Sequence, residues 1–189
     1  MIQFFEEIIK VNTCTITGEK ANYDVYYRIF TPENIKADIV LLPGICVNTT
    51  HYTEISYYFA ENGYRVILMD QPGFGFSSGL RGGLDNYDHK DNSTFSSSTI
   101  YVYQQVIEQV LNHINETTKI LVHKISLGDG FGGFLGLLHQ NVTKLTIDYT
   151  IKPDDYFPNR FYGNILTNPV VSVKDPDRKS TRLNSSHRT

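Results

Sequence analysis

Tyr23, Val25, Tyr27 and Ile29 alternate with Asp24, Tyr26 and Arg28, the period-two pattern of a half-buried strand that Pro32 brings to an end. Residues 4–17 read as a strand before it, joined to it near Gly18, so the chain is expected to open on an antiparallel pair. From Asp38 the pattern changes. Ile39-Val40-Leu41-Leu42 is apolar without interruption and ends at Pro43-Gly44, which suits a central strand covered on both faces. Tyr52 to Asn62 carries Ile55, Tyr58 and Phe59 at helical spacing, with Gly63 placed to end the helix. Tyr64 to Met69 is a second buried run, closed by Asp70. Strand, helix, strand in this order predicts βαβ units and a largely parallel sheet.

A glycine-rich loop follows from Gln71 to Gly83, and residues 84–98 are polar. Thr99 to Ile114 then places Ile100, Tyr103, Val106, Ile107, Val110, Leu111 and Ile114 on one helical face. The stretch Lys119 to Phe134 holds an apolar run at Ile120–Val122 and Ile125, read as a short strand. Glycines follow at 128, 130, 132 and 133, and then a helical segment at 134–138. Lys144 to Ile151 reads as one more strand, and Pro153 to Pro158 breaks the pattern.

Composition narrows the class. The chain has 189 residues, 40% hydrophobic and 20% charged, with a formal charge of −3. That is the profile of one globular domain with no polyanion partner, so nucleic acid is not expected. Cys14 and Cys46 make neither a disulfide framework nor a metal-ligand spacing, which points to a reducing, cytoplasmic setting. No apolar run approaches the ~18–20 residues of a membrane span, and the acidic start Met-Ile-Gln-Phe-Phe-Glu-Glu is unlike a secretory signal. Residues 177–189 stand apart, with four basic residues against one acid. They resemble translated adapter sequence or a disordered basic tail, and His187 is not counted among candidate site residues.

A tight glycine turn from strand to helix is where α/β proteins place their chemistry, because helix N-terminal N–H groups point into it. Two chemistries fit this one. Ser126 reads as the nucleophile of an elbow, and Gly128-x-Gly130-x-x-Gly133, with Asp148 20 residues after Gly128, reads as a dinucleotide fingerprint.

The loop Gly73-Phe-Gly-Phe-Ser77-Ser-Gly79-Leu-Arg81-Gly82 after Asp70, with Pro43-Gly44 upstream, resembles the α/β-hydrolase family. More narrowly it is similar to the monoacylglycerol lipase, lysophospholipase and serine aminopeptidase-like branch, with Phe74 standing where that branch has His. The resemblance covers roughly residues 20–150. It implies a truncated α/β-hydrolase fold, with a mostly parallel central sheet, an antiparallel N-terminal strand pair and helices on both faces. Residues 1–151 would be the N-terminal part of that core, 152–176 the start of a cap, and 177–189 the tail. The elbow pattern Gly-x-Ser-x-Gly has two registers here. With Ser126 at the apex, Gly128 matches, Lys124 replaces the first glycine and Asp129 a further glycine that similar members carry after the pattern, while the hydroxyl and a normal strand length are kept. With Gly130 at the apex the glycines match and the nucleophile is gone. Ser126 is the preferred register.

By the same resemblance the oxyanion hole would be the backbone N–H groups of Ile45 and Leu127, each contributing ~3–4 kcal/mol to the transition state. The resemblance implies hydrolysis of a carboxylic ester of monoacylglycerol or lysophospholipid type through an acyl-enzyme on Ser126, with no cofactor and no metal. The partner would be a small acyl ester or lipid, with peripheral membrane contact through a cap; the oligomeric state is left open. The triad order is Ser, acid, His, and 63 residues follow Ser126, too few for the family's later strands. The chain as it stands is therefore expected to be inactive. The alternatives are a non-catalytic α/β-hydrolase-like binding protein and a Rossmann-like domain using Gly128, Gly130 and Gly133.

Overall fold

The structure, a computed structural model, describes residues 1–15, 18–45, 47–79, 97–141 and 161–167. Its strands are β1 (Gln3–Cys14), β2 (Lys20–Thr31), β3 (Ala37–Leu42), β4 (Tyr64–Met69), β5 (Lys124–Asp129) and β6 (Gly163–Thr167). Its helices are α1 (Thr53–Glu61), α2 (Ser97–Thr118) and α3 (Phe131–Asn141), with one 3₁₀ turn at Thr49–Tyr52. The strands form one sheet in the order β1-β2-β4-β3-β5-β6. β1 and β2 pair antiparallel in unbroken register from Gln3↔Thr31 to Cys14↔Lys20. β2 meets β4 antiparallel, and β4, β3, β5 and β6 run parallel.

The uninterrupted apolar runs of β3 and β4 are covered on both faces, so each strand feeds two cores. Val40, Leu42, Ile67 and Met69 point to a layer made by α2 and α3, together with Tyr27, Val106, Leu111 and Leu135. Ile39, Leu41, Val66 and Leu68 point the other way, with Phe30, Leu127 and Ala60 of α1. β2 alternates exposed and buried as far as Val25 and is then covered on both faces, with Tyr26 and Phe30 buried as well as Tyr27 and Ile29.

The predicted strand pair, β3, α1, β4 and α2 all form. The largest difference is at β5. The apolar run predicts a strand over Ile120 to Ile125, yet α2 runs on to Thr118 and Lys119 takes a left-handed conformation, φ 57°, donating its N–H back to Asn115. Leu121 is exposed and β5 starts only at Lys124. What admits Lys124 is a buried ionic cluster at the N-terminal ends of the strands. Arg65 Nε and Nη2 each donate to Asp38 at 2.7 Å, both side chains fully buried, and Lys124 Nζ lies 3.9 Å from Asp38 Oδ2. Residues 163–167, within the stretch expected to begin a cap, form β6 beside β5. The expected strand 144–151, Asp148 and the tail lie outside the described residues.

Candidate active-site turn at the ends of β3 and β5

The site is built where β3 and β5 end side by side. β3 runs out at Leu42 and turns through Pro43-Gly44-Ile45. β5 runs out at Asp129, Gly130 makes the turn at φ 53°, and α3 begins at Phe131. The two segments touch backbone to backbone. A Cβ added at Gly132 would stand 1.9 Å from the Leu42 carbonyl oxygen, and one at Gly44 would stand 3.2 Å from the Asp129 carbonyl oxygen. Gly128 has a third close approach, its would-be Cβ 2.3 Å from Gly133 Cα, where α3 folds back over the strand it has just left. Gly128, Gly132 and Gly133 are therefore spacing glycines, and Gly130 is the one that turns.

Around the turn stands a small polar set. The Tyr52 hydroxyl donates to Asp129 Oδ2 at 3.1 Å and accepts from the Gly44 amide. Thr167 of β6 donates to Asp129 Oδ1 at 3.1 Å, and the Gly130 amide donates to the Thr167 carbonyl at 2.8 Å. Burial pushes the Tyr52 phenol up from its ordinary value and the Asp129 carboxylate adds to this, against the Gly44 amide, so Tyr52 stays a donor at neutral pH.

The loop after β4 is the third wall, and Asp70 organises it. Its carboxylate accepts from the Thr49 amide at 2.8 Å and the Phe76 amide at 3.0 Å. Gly75 crosses directly over it at φ 50°, where a Cβ would lie 2.0 Å from Asp70 Oδ2. Ser77 donates to the Asp70 carbonyl at 2.6 Å and accepts from the Tyr26 amide at 2.9 Å. Burial raises the Asp70 carboxyl above the ordinary range, opposed first by the Phe76 and Thr49 amides.

The residues expected to carry chemistry are distributed unevenly over this site. Ile45 is at it, next to Gly44 and 41% exposed. Ser126 is not at the turn. It is the third residue of β5, 0% exposed, with its side chain facing α3. Its hydroxyl donates to Asn164 Oδ1 of β6, whose amide in turn donates to Gln140. Gly136 passes so close that a Cβ there would lie 2.6 Å from Ser126 Oγ. Leu127 sits mid-strand, paired with Leu41 on one side and Ile165 on the other, so its peptide belongs to the sheet ladder. The strand-to-helix turn falls four residues after Ser126 because β5 itself starts four residues later than the apolar run suggests. His139 lies under α2, bonded through Nδ1 to Gln104 at 2.8 Å. Cys46 lies outside the described residues.

Tyr52, Asp129 and Thr167 are not singled out by the sequence. The one signal available is the glycine spacing 128-130-132-133, which fits the elbow only with position 130 at its apex. Among the described residues no cluster of His, Cys, Asp or Glu is arranged to hold a metal ion, and no helix is long and apolar enough to cross a membrane.

Comparison with known proteins agrees with this architecture. Residues 33–183 match the family described as serine aminopeptidase, S33. An uncharacterised abhydrolase domain-containing protein of Dictyostelium discoideum is 27% identical over 158 residues, covering 82% of this chain but only 13% of that protein. Among solved structures, a probable hydrolytic enzyme of Pseudomonas aeruginosa superposes with a TM-score of 0.58 at 18% identity, over 88% of this chain and 42% of that one. A soluble variant of the monoglyceride lipase of Saccharomyces cerevisiae, in complex with a substrate analogue, gives 0.58 at 19%, over 89% and 45%. The chain thus spans less than half the length of these relatives. Its sheet order, its glycine turn after β5 and the family match over most of its length agree: the chain belongs to the serine aminopeptidase (S33) family of α/β hydrolases.

Proposed function

We propose that this domain is a non-catalytic member of its family that keeps the shape of the ester-binding site without the nucleophile. The observation that carries the reading is the position of Gly130. It occupies the apex between the end of β5 and the first turn of α3 at φ 53°, where the elbow of a serine hydrolase presents its hydroxyl. A glycine there has nothing to attack with. Ser126, the nearest hydroxyl upstream on the same strand, faces the opposite way into the packing of α3 and is committed to Asn164.

What remains is suited to holding a polarised carbonyl. The rule that the residue after the apex supplies an oxyanion donor moves that role from Leu127 to Phe131, at the N-terminus of α3, while Ile45 keeps the other position. Tyr52 and Thr167 hold Asp129 beside the turn, and the Asp70 loop forms the wall. The ligand class we propose is a small acyl ester or lipid, in keeping with the family. The reading also takes a cytoplasmic setting, resting on the two isolated cysteines.

The competing reading keeps Ser126 as an acyl-enzyme nucleophile; its support is the hydroxyl alone, and it requires a buried mid-strand residue to reach substrate. A fluorophosphonate probe tests the acyl-enzyme reading, which labelling at Ser126 alone would establish, since a silent 189-residue chain is expected either way. The 189-residue chain should show no labelling and no turnover of a short-chain p-nitrophenyl ester. Labelling that Ser126→Ala abolishes would overturn the non-catalytic reading. The glycines need no dinucleotide to account for them, and a fluorescence titration with NADH should show no saturable binding.

A further inference from the structure

Among the described residues the sheet ends at β1, an edge half closed and half open. Gln109 of α2 accepts from the Asn12 amide at 3.1 Å and donates to the Asn12 carbonyl at 2.7 Å. Gln105 does the same for Cys14, at 3.1 and 2.7 Å. Two side-chain amides on one helix thus make the bonds that a neighbouring strand would make. Because the β1–β2 register has no bulge, the same alternation directs the peptide groups of Phe4, Glu6, Ile8 and Lys10 outward as well. No side chain of the described residues reaches those four. The open part also carries apolar surface, with Phe4 at 41%, Phe5 at 50% and Ile8 at 56% exposure. An open edge of this kind is a template for another strand.

The charges on β1 choose the partner and the register. We propose that two copies of this chain pair through β1, antiparallel, about a two-fold axis at Ile8. In that register Ile8 faces Ile8 of the second copy, and Glu6 faces Lys10 in both directions. Three outward-facing residue pairs exchange backbone hydrogen bonds, all between residues that Gln105 and Gln109 leave open.

The neighbouring registers are worse. An axis at Glu7 sets Glu7 against Glu7, and one at Glu6 sets Glu6 against Glu6, each a like-charge pair directly across the strands. An axis at Ile9 leaves only two open pairs and runs Glu6 against Asn12, which Gln109 already holds. The interface is isologous and closes on itself, so it yields a dimer and not a fibre. It joins the two sheets edge to edge, at the far side of the sheet from β5 and the turn at Gly130.

The test uses the 189-residue chain in sedimentation equilibrium, with cysteine cross-linking to read the register. The expected result is a reversible monomer–dimer equilibrium. Ile8→Pro removes an outward N–H that β2 does not use, a tolerated place for proline on an edge strand, and should weaken the dimer at least tenfold with the circular dichroism spectrum unchanged. Lys10→Glu, which sets Glu6 against an acid, should weaken it likewise and serves if the proline variant does not fold. Opposed hydrogen-bonded residues lie ~5.5 Å apart at Cα, within disulfide reach. Ile8→Cys should therefore cross-link faster than Glu6→Cys, Glu7→Cys or the wild-type chain with its own cysteines. A strict monomer, a dimer indifferent to both Ile8→Pro and Lys10→Glu, or fastest cross-linking at position 6 or 7 would overturn the proposal.

Discussion

Replacing Asp38 with Asn should cost the fold about 3–5 kcal/mol, the usual loss when one partner of a buried ion pair is removed. Asp38 and Arg65 are both at 0% side-chain exposure, and the guanidinium meets the carboxylate through two bonds of 2.7 Å. Asn keeps the shape but offers one acceptor where two are needed, and it turns an N–H₂ group toward a donor. Arg65 retains Thr118 Oγ1 at 3.1 Å and the Ile120 carbonyl at 3.3 Å, so some of its hydrogen bonds survive while its charge goes unmatched. Lys124 loses its counter-charge as well. Lys124→Met should behave differently. Burial pulls the Lys124 amine below its ordinary value more strongly than Asp38 holds it up, so the buried charge costs more than its 3.9 Å contact returns. That substitution should fall within about 1 kcal/mol of neutral or stabilise the fold. Since the folded amine gives up its proton before the unfolded one, its cost is fully present at neutral pH and shrinks as pH rises toward 10.5; in Lys124→Met that rise disappears. Urea unfolding followed by circular dichroism and tyrosine fluorescence measures both, the chain having no tryptophan. With a slope of about 2 kcal/mol/M, Asp38→Asn should lower the midpoint by about 2 M. A cost below about 1 kcal/mol for Asp38→Asn, or a larger cost for Lys124→Met, would refute the reasoning.

Gly132→Ala should destabilise by at least about 2 kcal/mol, because its Cβ would enter the Leu42 carbonyl, whereas Gly163→Ala, with nothing within 4 Å, should stay within about 0.5 kcal/mol in the same urea titration. Burial and a 2.5 Å bond to Glu6 push the Tyr26 phenol up to about 12, and burial with Glu7 pushes Tyr27 further. Between pH 10 and 12 the folded chain holds protons that the unfolded chain sheds, so stability should fall across that window, and ultraviolet titration should show two late phenols that become ordinary in urea. Asp70→Ala should cost about 2–3 kcal/mol through the stranded Thr49 and Phe76 amides, and limited proteolysis should then cut within residues 71–79.

Much of this fold is legible because its signals are local. The alternation in β2, the apolar runs of β3 and β4 and the seven-residue stripe of α2 each carry their own period. The displacement of β5 has a physical cause. Ile120-Leu121-Val122 looks like the start of a buried strand that runs on to Ile125, and Lys124 looks out of place within it. In the structure Leu121 is exposed, and Lys124 is admitted by Asp38 and Arg65, two residues on other strands that no window around 124 contains. The end of α2 is equally hidden, since Lys119 takes the left-handed conformation where a glycine would have announced it. The placement of the turn shifts with it. With the strand four residues early, Ser126 falls at the turn; with the strand where it is, Gly130 does. β6 escapes notice because its five residues, Gly163–Thr167, are held by β5 and not by any pattern of their own.

The conformation of Gly130 has a consequence for how such a domain changes over generations. A residue with a side chain at φ 53° carries about 1–2 kcal/mol of backbone strain, which a working nucleophile must bear and a glycine does not. Exchanging serine for glycine at such an apex therefore gives up reactivity and gains stability in the same step. Since most random substitutions draw stability down toward a threshold, that gain leaves room for others to accumulate elsewhere in the chain. A lineage that no longer needs the reaction would drift toward glycine and be held there by stability alone, while the glycines at 128, 132 and 133, whose spaces are filled by backbone, would stay fixed.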